Sequence, residues 1–176
     1  MAVLVTGGAG YIGSHTVALL TQQQRDVVVL DSLELGTKSR IDTVPFFQGN
    51  ISDERLIEKI CKKHDITEVI HFAAYKAVGE SMEQPLRYYN NNVGGTIDLV
   101  RALLANGVER MVFSSSAAVY GNPASVPVTE DSPLLPESVY AETKAVMERF
   151  LVSCDAIGMR SVSLRYFNAA GASADS

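Results

Sequence analysis

The stretch Thr6-Gly-Gly-Ala-Gly-Tyr-Ile-Gly13 constrains this chain more than any other. A short apolar run, Ala2 to Val5, leads into it, and a helical pattern begins at Tyr11. A strand, a tight glycine turn and a helix start, in that order, open a βαβ unit able to hold a dinucleotide. Gly7 permits the sharp turn off the strand, Gly10 lets a pyrophosphate approach the backbone, and Gly13 lets the helix pack closely. The helix N-terminus turns free N–H groups and a positive dipole end toward phosphate.

A second apolar run, Val27 to Leu30, ends in Asp31, 18 residues past Gly13. A ribose-binding acid is expected about 20 residues on. Its carboxylate can accept both ribose hydroxyls and would repel a 2′-phosphate, which points to NAD rather than NADP. The competing reading is a glycine turn of some other α/β protein, with Asp31 an ordinary loop acid.

Apolar and amphipathic stretches alternate to the end of the chain. Strands are expected at Ala2–Thr6, Val27–Asp31, Phe46–Gly49, Glu68–Ala73, Arg110–Ser115 and Ser161–Tyr166. Helices are expected at Tyr11–Gln23, from an N-cap at Ser52 to about Lys63, at Pro85–Asn106 and at Ser138–Ile157, the last two stopped by Gly107 and Gly158. Ser32 to Pro45 and Asn122 to Pro136 read as loops. Such alternation predicts an α/β fold with a doubly wound parallel sheet in the order 3-2-1-4-5-6. Residues 1–176 then form one NAD-binding Rossmann domain.

The formal net charge is −5 with no basic block, which argues against a nucleic-acid partner. No apolar run is long enough to span a membrane, and no charged leader precedes the first strand. The two cysteines, Cys61 and Cys154, read as reduced thiols of a cytoplasmic protein. Without a Cys/His cluster, no metal site is expected.

Ligands of such a sheet bind beyond the carboxyl ends of its strands. Most residues just past those ends are polar or small: Asn50 and Ile51; Phe72, Ala73, Ala74 and Lys76; Ser114 to Ser116; Tyr166, Phe167 and Asn168. His71, within a strand, is expected to be packed rather than catalytic. The strongest chemical constellation is Tyr140-Ala-Glu-Thr-Lys144. Residues four apart share a helix face, so an ammonium lies near a phenol. A phenol titrates near 10 and needs a nearby cation to act as a base at neutral pH. Tyr140 is thus a candidate base for an alcohol losing hydride, with Ser116 holding the same oxygen.

The glycine stretch, Ser116 and the Tyr140/Lys144 pair resemble the extended short-chain dehydrogenase/reductase superfamily. Three further stretches, His71-Phe-Ala-Ala-Tyr-Lys-Ala-Val-Gly-Glu-Ser81, Ser114-Ser-Ser-Ala-Ala-Val-Tyr-Gly121 and Tyr166-Phe-Asn-Ala-Ala-Gly171, resemble its UDP-glucose 4-epimerase family. The resemblance implies epimerisation at C4 of a UDP-hexose through a transient 4-keto sugar. It makes Tyr140 the acid–base group, Lys144 its partner at the nicotinamide ribose, and Ser116 an aid to proton transfer. Gly7, Gly10, Tyr11, Ile12, Gly13, Asp31, Asn50, Ile51, Phe72, Ala73, Ala74, Lys76, Asn91, Ser114, Tyr140, Lys144 and Tyr166 would line NAD. Lys76, Ser116, Tyr140 and Asn168 would meet the UDP-sugar. Homodimerisation through 85–106 and 138–157 is also implied, although their apolar residues can equally serve the core.

Two departures from the family pattern bear on this expectation. Asn50 stands where the family usually has an acid, and the family continues into a smaller substrate domain, which is expected to be absent from this chain. Two alternatives follow: an NAD-binding module without turnover, or a 4,6-dehydratase. The dehydratase is disfavoured because Ala117 and Ala118 stand where those enzymes carry Asp-Glu.

Overall fold

The computed structural model describes residues 1–41 and 43–172. Asp42, within the stretch read as loop, and the last four residues of the domain assigned to 1–176 lie outside the described residues. Six strands, β1 (Ala2–Thr6), β2 (Val27–Asp31), β3 (Phe46–Gln48), β4 (Ile66–His71), β5 (Arg110–Ser114) and β6 (Arg160–Leu164), form one sheet. Its order is β3-β2-β1-β4-β5-β6, parallel throughout. This is the doubly wound arrangement the alternation predicts.

The helices are α1 (Tyr11–Gln22), α2 (Glu54–His64), α3 (Val78–Glu83), α4 (Pro85–Tyr88), α5 (Thr96–Ala105) and α6 (Val139–Cys154). Side chains alternate across the strands, which splits the core in two. Leu4, Val28 and Leu30 pack on Ile57 and Ile60 of α2, Leu99 and Leu103 of α5, and Met147 and Leu151 of α6. Val3, Val5 and Val29 face the other way, onto Val17 of α1 and Ile41. β1 and β2 are buried along their full length, as central parallel strands must be. β6 is the edge and leaves Val162 and Leu164 exposed at 59% and 45%.

Three expectations needed correction. The N-cap of α2 is Asp53, whose carboxylate accepts from Leu56 N at 3.0 Å. Ser52 cannot serve because its hydroxyl and N–H both bond Asn50 Oδ1 at 3.0 Å. The helix expected over 85–106 is broken: α4 and α5 are joined by a π-helical stretch, Tyr89–Gly95, where three asparagines and two glycines weaken the α-helical preference. β4 starts at Ile66 rather than Glu68, because Asp65 in the left-handed region ends α2 and enters the strand with no loop. Short helices at Val78–Glu83 and Ala117–Tyr120 went unforeseen. The stops at Gly107 and Gly158 stand, both with positive φ.

Candidate active site

A cleft of about 810 Å³ runs along the carboxyl ends of the strands. Its floor is the glycine turn. Gly7 has φ +70°, and a Cβ there would lie 2.6 Å from the backbone N of Ala73. A Cβ on Gly13 would lie 2.3 Å from Gly7 O, so α1 can start this close to the turn only without a side chain at that position. Asp31 fastens the turn to the end of β2: Oδ2 accepts from Ala9 N at 3.0 Å and Oδ1 from Leu33 N at 2.8 Å.

Every candidate site residue lines this cleft. Gly7, Gly10, Tyr11, Ile12 and Gly13 form the floor, and Asp31, Asn50 and Ile51 the end beyond β2 and β3. Phe72, Ala73, Ala74, Lys76 and Asn91 form the wall after β4, and Ser114, Ser116, Tyr140, Lys144, Tyr166 and Asn168 the far end. Asn50 spends its side-chain oxygen on Ser52, leaving only its amide N–H groups to meet a ligand. The cleft also contains Glu34, Arg40 and Tyr75, which sequence reasoning missed. Glu34 and Tyr75 bond each other across 41 positions, and no local pattern signals such a pair.

At the far end the chemistry is concentrated. Ser138 caps α6 by accepting from Ala141 N at 3.2 Å, and Ser81 Oγ accepts the Tyr140 N–H at 3.1 Å. Lys144, only 4% exposed, donates from Nζ to Ser114 O at 2.7 Å. The ammonium lies 4.8 Å from the Phe113 ring centroid and 6.0 Å from that of Tyr140. Burial pushes its pKa down to about 7, while Glu148 works in the opposite direction. Burial also raises the Tyr140 phenol; the Ser116 hydroxyl pulls it down and Tyr166 pushes it up. The sequence suggested a lysine that lowers the phenol outright. Here the ammonium is bound to a carbonyl, and desolvation dominates the phenol. Tyr166 pairs its hydroxyl with Ser114 Oγ.

His71 is packed, as expected. Nδ1 meets Thr6 Oγ1 at 2.6 Å and Nε2 meets Thr96 Oγ1 at 3.0 Å. The Thr96 hydroxyl already donates to Asn92 O at 2.7 Å, so it accepts from Nε2–H, and Nδ1 accepts from Thr6. Burial, then the charge of Lys144, lowers this imidazole to about 3. It remains neutral beside the lysine.

Behind the cleft, Glu148 takes a bidentate bond from Arg165, Nη2 to Oε2 at 2.7 Å and Nε to Oε1 at 3.1 Å, and accepts the Ser115 hydroxyl. Arg165 Nη1 reaches Tyr120 OH at 2.9 Å and Glu130 O at 3.0 Å. Among the described residues no helix is long and apolar enough to cross a membrane, and no His, Cys, Asp and Glu cluster could hold a metal ion.

Residues 3–176 match the sequence pattern of the NAD dependent epimerase/dehydratase family. The UDP-glucose 4-epimerase of Halalkalibacterium halodurans is 50% identical over 173 residues, which cover 98% of this chain and 52% of that protein. That of Lactobacillus helveticus is 50% identical over 177 residues, 99% of this chain and 54% of that protein. A crystal structure of UDP-glucose 4-epimerase from Brucella ovis in complex with NAD superposes with a TM-score of 0.96 at 44% identity, covering 99% of this chain and 54% of that one. One from Stenotrophomonas maltophila, with bound NAD and formylated UDP-arabinopyranose, also gives 0.96, at 42% identity, covering 99% of this chain and 55% of that one. The chain thus spans about half the length of the curated relatives it matches.

Proposed function

From the premise that this chain belongs to the NAD dependent epimerase/dehydratase family, we propose that residues 1–176 are an NAD-binding domain carrying the acid–base group of a UDP-hexose 4-epimerase. The observation that carries this reading is the convergence of Ser116, Tyr140 and Lys144 at one end of a cleft whose other end is the glycine turn and Asp31. The residues fit the cofactor. The turn has no room for a Cβ at Gly7 or Gly13, and α1 opens on Gly10 with no side-chain cap, so its amide dipoles face the cleft. Asp31, 8% exposed and held by two N–H groups, offers a fixed carboxylate as acceptor for the ribose hydroxyls.

Bound NAD supplies a hydride acceptor, and in the return step a donor, at the sugar carbon. The chain's own residues handle the proton and the alignment. Tyr140 takes the proton of the 4-hydroxyl as the 4-keto sugar forms and returns it afterwards. A buried, raised phenol is a weak base, so proton removal depends on local positive charge and on the Ser116 hydroxyl. Lys144 supplies that charge in its protonated form and is held in place by Ser114 O. Asn168, at the same end of the cleft, and Lys76, on the wall after β4, are the proposed contacts of the UDP-sugar. UDP-glucose and UDP-galactose are the proposed pair, with N-acetylated UDP-hexosamines as variants. The dehydratase reading is disfavoured because Ala117 and Ala118 stand on the cleft wall with no acid to move protons at neighbouring carbons. A cofactor module without turnover is the second reading, favoured by a Tyr140 phenol that burial holds above its ordinary range.

We also propose a cytoplasmic location and a homodimer through 85–106 and 138–157. Leu86, Val152 and Ile157, 78%, 75% and 66% exposed, are among the apolar groups available to such an interface. Incubation of the chain with NAD and UDP-galactose, followed by NMR of the product, tests the main proposal. UDP-glucose is the expected product. NAD bound without product supports the module reading, and absence of NAD binding refutes both.

A further inference from the structure

The chemistry proposed above leaves unused a chain of side chains that crosses the cleft. Glu34 follows β2, Tyr75 follows β4, and Arg87 is in α4. β1 lies between β2 and β4 in the sheet, so a bond from Glu34 to Tyr75 or Arg87 must pass over the glycine turn. Two such bonds exist. Tyr75 OH donates to Glu34 Oε2 at 2.6 Å, and Arg87 Nη2 donates to Glu34 Oε1 at 2.6 Å. The Arg87 guanidinium also lies 4.2 Å from the Tyr75 ring centroid, and its Nη1 is braced by Glu80.

Both sides of this crossing are anchored. The loop carrying Glu34 is tied to the turn by Thr37 N to Ala9 O at 3.0 Å. The Tyr75 backbone is gripped at both polar groups by the buried Asn92 amide: Tyr75 N donates to Oδ1, and Nδ2 donates to Tyr75 O, each at 2.9 Å. The Tyr75 hydroxyl, then the Arg87 guanidinium, hold the Glu34 carboxyl below the usual carboxylate range. Both Glu34 oxygens are engaged within the crossing, which ties its carboxylate to Tyr75 and Arg87 at once.

We propose that Glu34, Tyr75 and Arg87 are a clasp across the dinucleotide, which must part each time the cofactor enters or leaves. This rests on the reading of the cleft as an NAD site. A clasp of this kind makes the cofactor a slowly exchanging part of the protein. It raises the barrier in both directions and leaves the affinity nearly unchanged, whereas a direct ligand would slow only exit. The Arg87–Glu34 pair is exposed at 35% and 47%, so water competes for it and the clasp can open.

The test uses the whole chain and the variants Glu34→Gln and Tyr75→Phe, each nearly the shape of the original. NADH association is followed by stopped-flow cofactor fluorescence, and dissociation by a chase with excess NAD. Both rates are expected to rise about tenfold in each variant, equivalent to ~1.4 kcal/mol in the barrier, with the dissociation constant within about threefold of the parent's. Unchanged rates in both variants overturn the clasp. Faster exit with unchanged entry also overturns it, by making these side chains direct ligands. If the parent chain binds no NADH, the cofactor reading fails and the clasp falls with it; binding with unchanged exchange removes the clasp alone.

Discussion

Replacing Lys144 by Met should change how the fold responds to pH, in a direction fixed by where that lysine sits. The side chain is 4% exposed and its ammonium is pushed from an ordinary 10.5 to about 7 by burial. A lysine is charged when protonated. With its folded pKa below its unfolded one, the unfolded chain binds more protons between about 7 and 10.5, so stability rises with pH across that interval. The slope is about 1.4 kcal/mol per pH unit, with ~5 kcal/mol as the ceiling across the interval. Below about 7 both states are protonated and the cost of burying the charge is felt in full. Met keeps the length of the side chain and removes the titration. It also strands Ser114 O, which accepts from Nζ at 2.7 Å, at a pH-independent cost of about 1–3 kcal/mol. Urea unfolding from about pH 6 to about pH 9.5 measures both forms on one scale. The upper limit stays below the range where Tyr140 and Tyr166 titrate, since burial raises both phenols above their ordinary 10.0. The parent is expected to gain on the variant steadily above neutrality. A difference in stability that stays flat with pH would refute a buried lysine with a depressed pKa.

Three other substitutions test separate parts of the site. Tyr140→Phe should lower epimerisation by about 100- to 10,000-fold, the range of one acid–base group, while NADH fluorescence on binding is retained; intact turnover would remove Tyr140 from the chemistry. Gly13→Ala puts a Cβ 2.3 Å from Gly7 O and should cost about 1–3 kcal/mol in urea unfolding and abolish NADH binding, since the turn itself must move. Arg165→Met should cost about 3–5 kcal/mol by stranding the Glu148 carboxylate, and adding Glu148→Met should recover most of that loss in a thermal melt.

The sheet order and the membership of the cleft were legible in the sequence because both follow from local signals. β1, β2 and β5 are short, mostly apolar runs, most strands are followed by a polar or small residue, and the topology brings those ends to one edge. Boundaries failed where a side chain had two suitors. Ser52 is a good cap by type, but the Asn50 turn claims it, leaving Asp53 for the helix. The broken helix at Tyr89–Gly95 was hidden by apolar periodicity on either side. Long-range pairs were the least legible. Glu34 bonds Tyr75 and Arg87 over 41 and 53 positions, and Glu148 bonds Arg165 over 17, with no periodicity to announce them. The electrostatic state of the tyrosine was also out of reach: spacing places Lys144 beside it, but only burial determines that both groups resist charge.

The far end of the cleft shows why those unannounced pairs matter. Ser114 and Ser116 line the cleft, and Ser115 between them turns away to bond Glu148. Lys144 faces the cleft, and Glu148, one turn further along α6, faces Arg165. Arg165 in turn precedes Tyr166, which is back in the cleft. After β5 and after β6 the chain thus alternates between a residue in the cleft and a neighbour bonded to Glu148 behind it. A slip of one residue in β5 or β6 would break the ion pair and swap the cleft-lining side chains together. Such a buried pair adds little net stability compared with an apolar replacement, because desolvation offsets the attraction. Its effect here is on register: a misaligned packing leaves a charge buried without its partner. That argues for testing the double Met variant for NADH binding as well as stability. A fold of recovered stability with loosened cofactor binding is the expected result, and unimpaired binding would show that the apolar core alone sets the register.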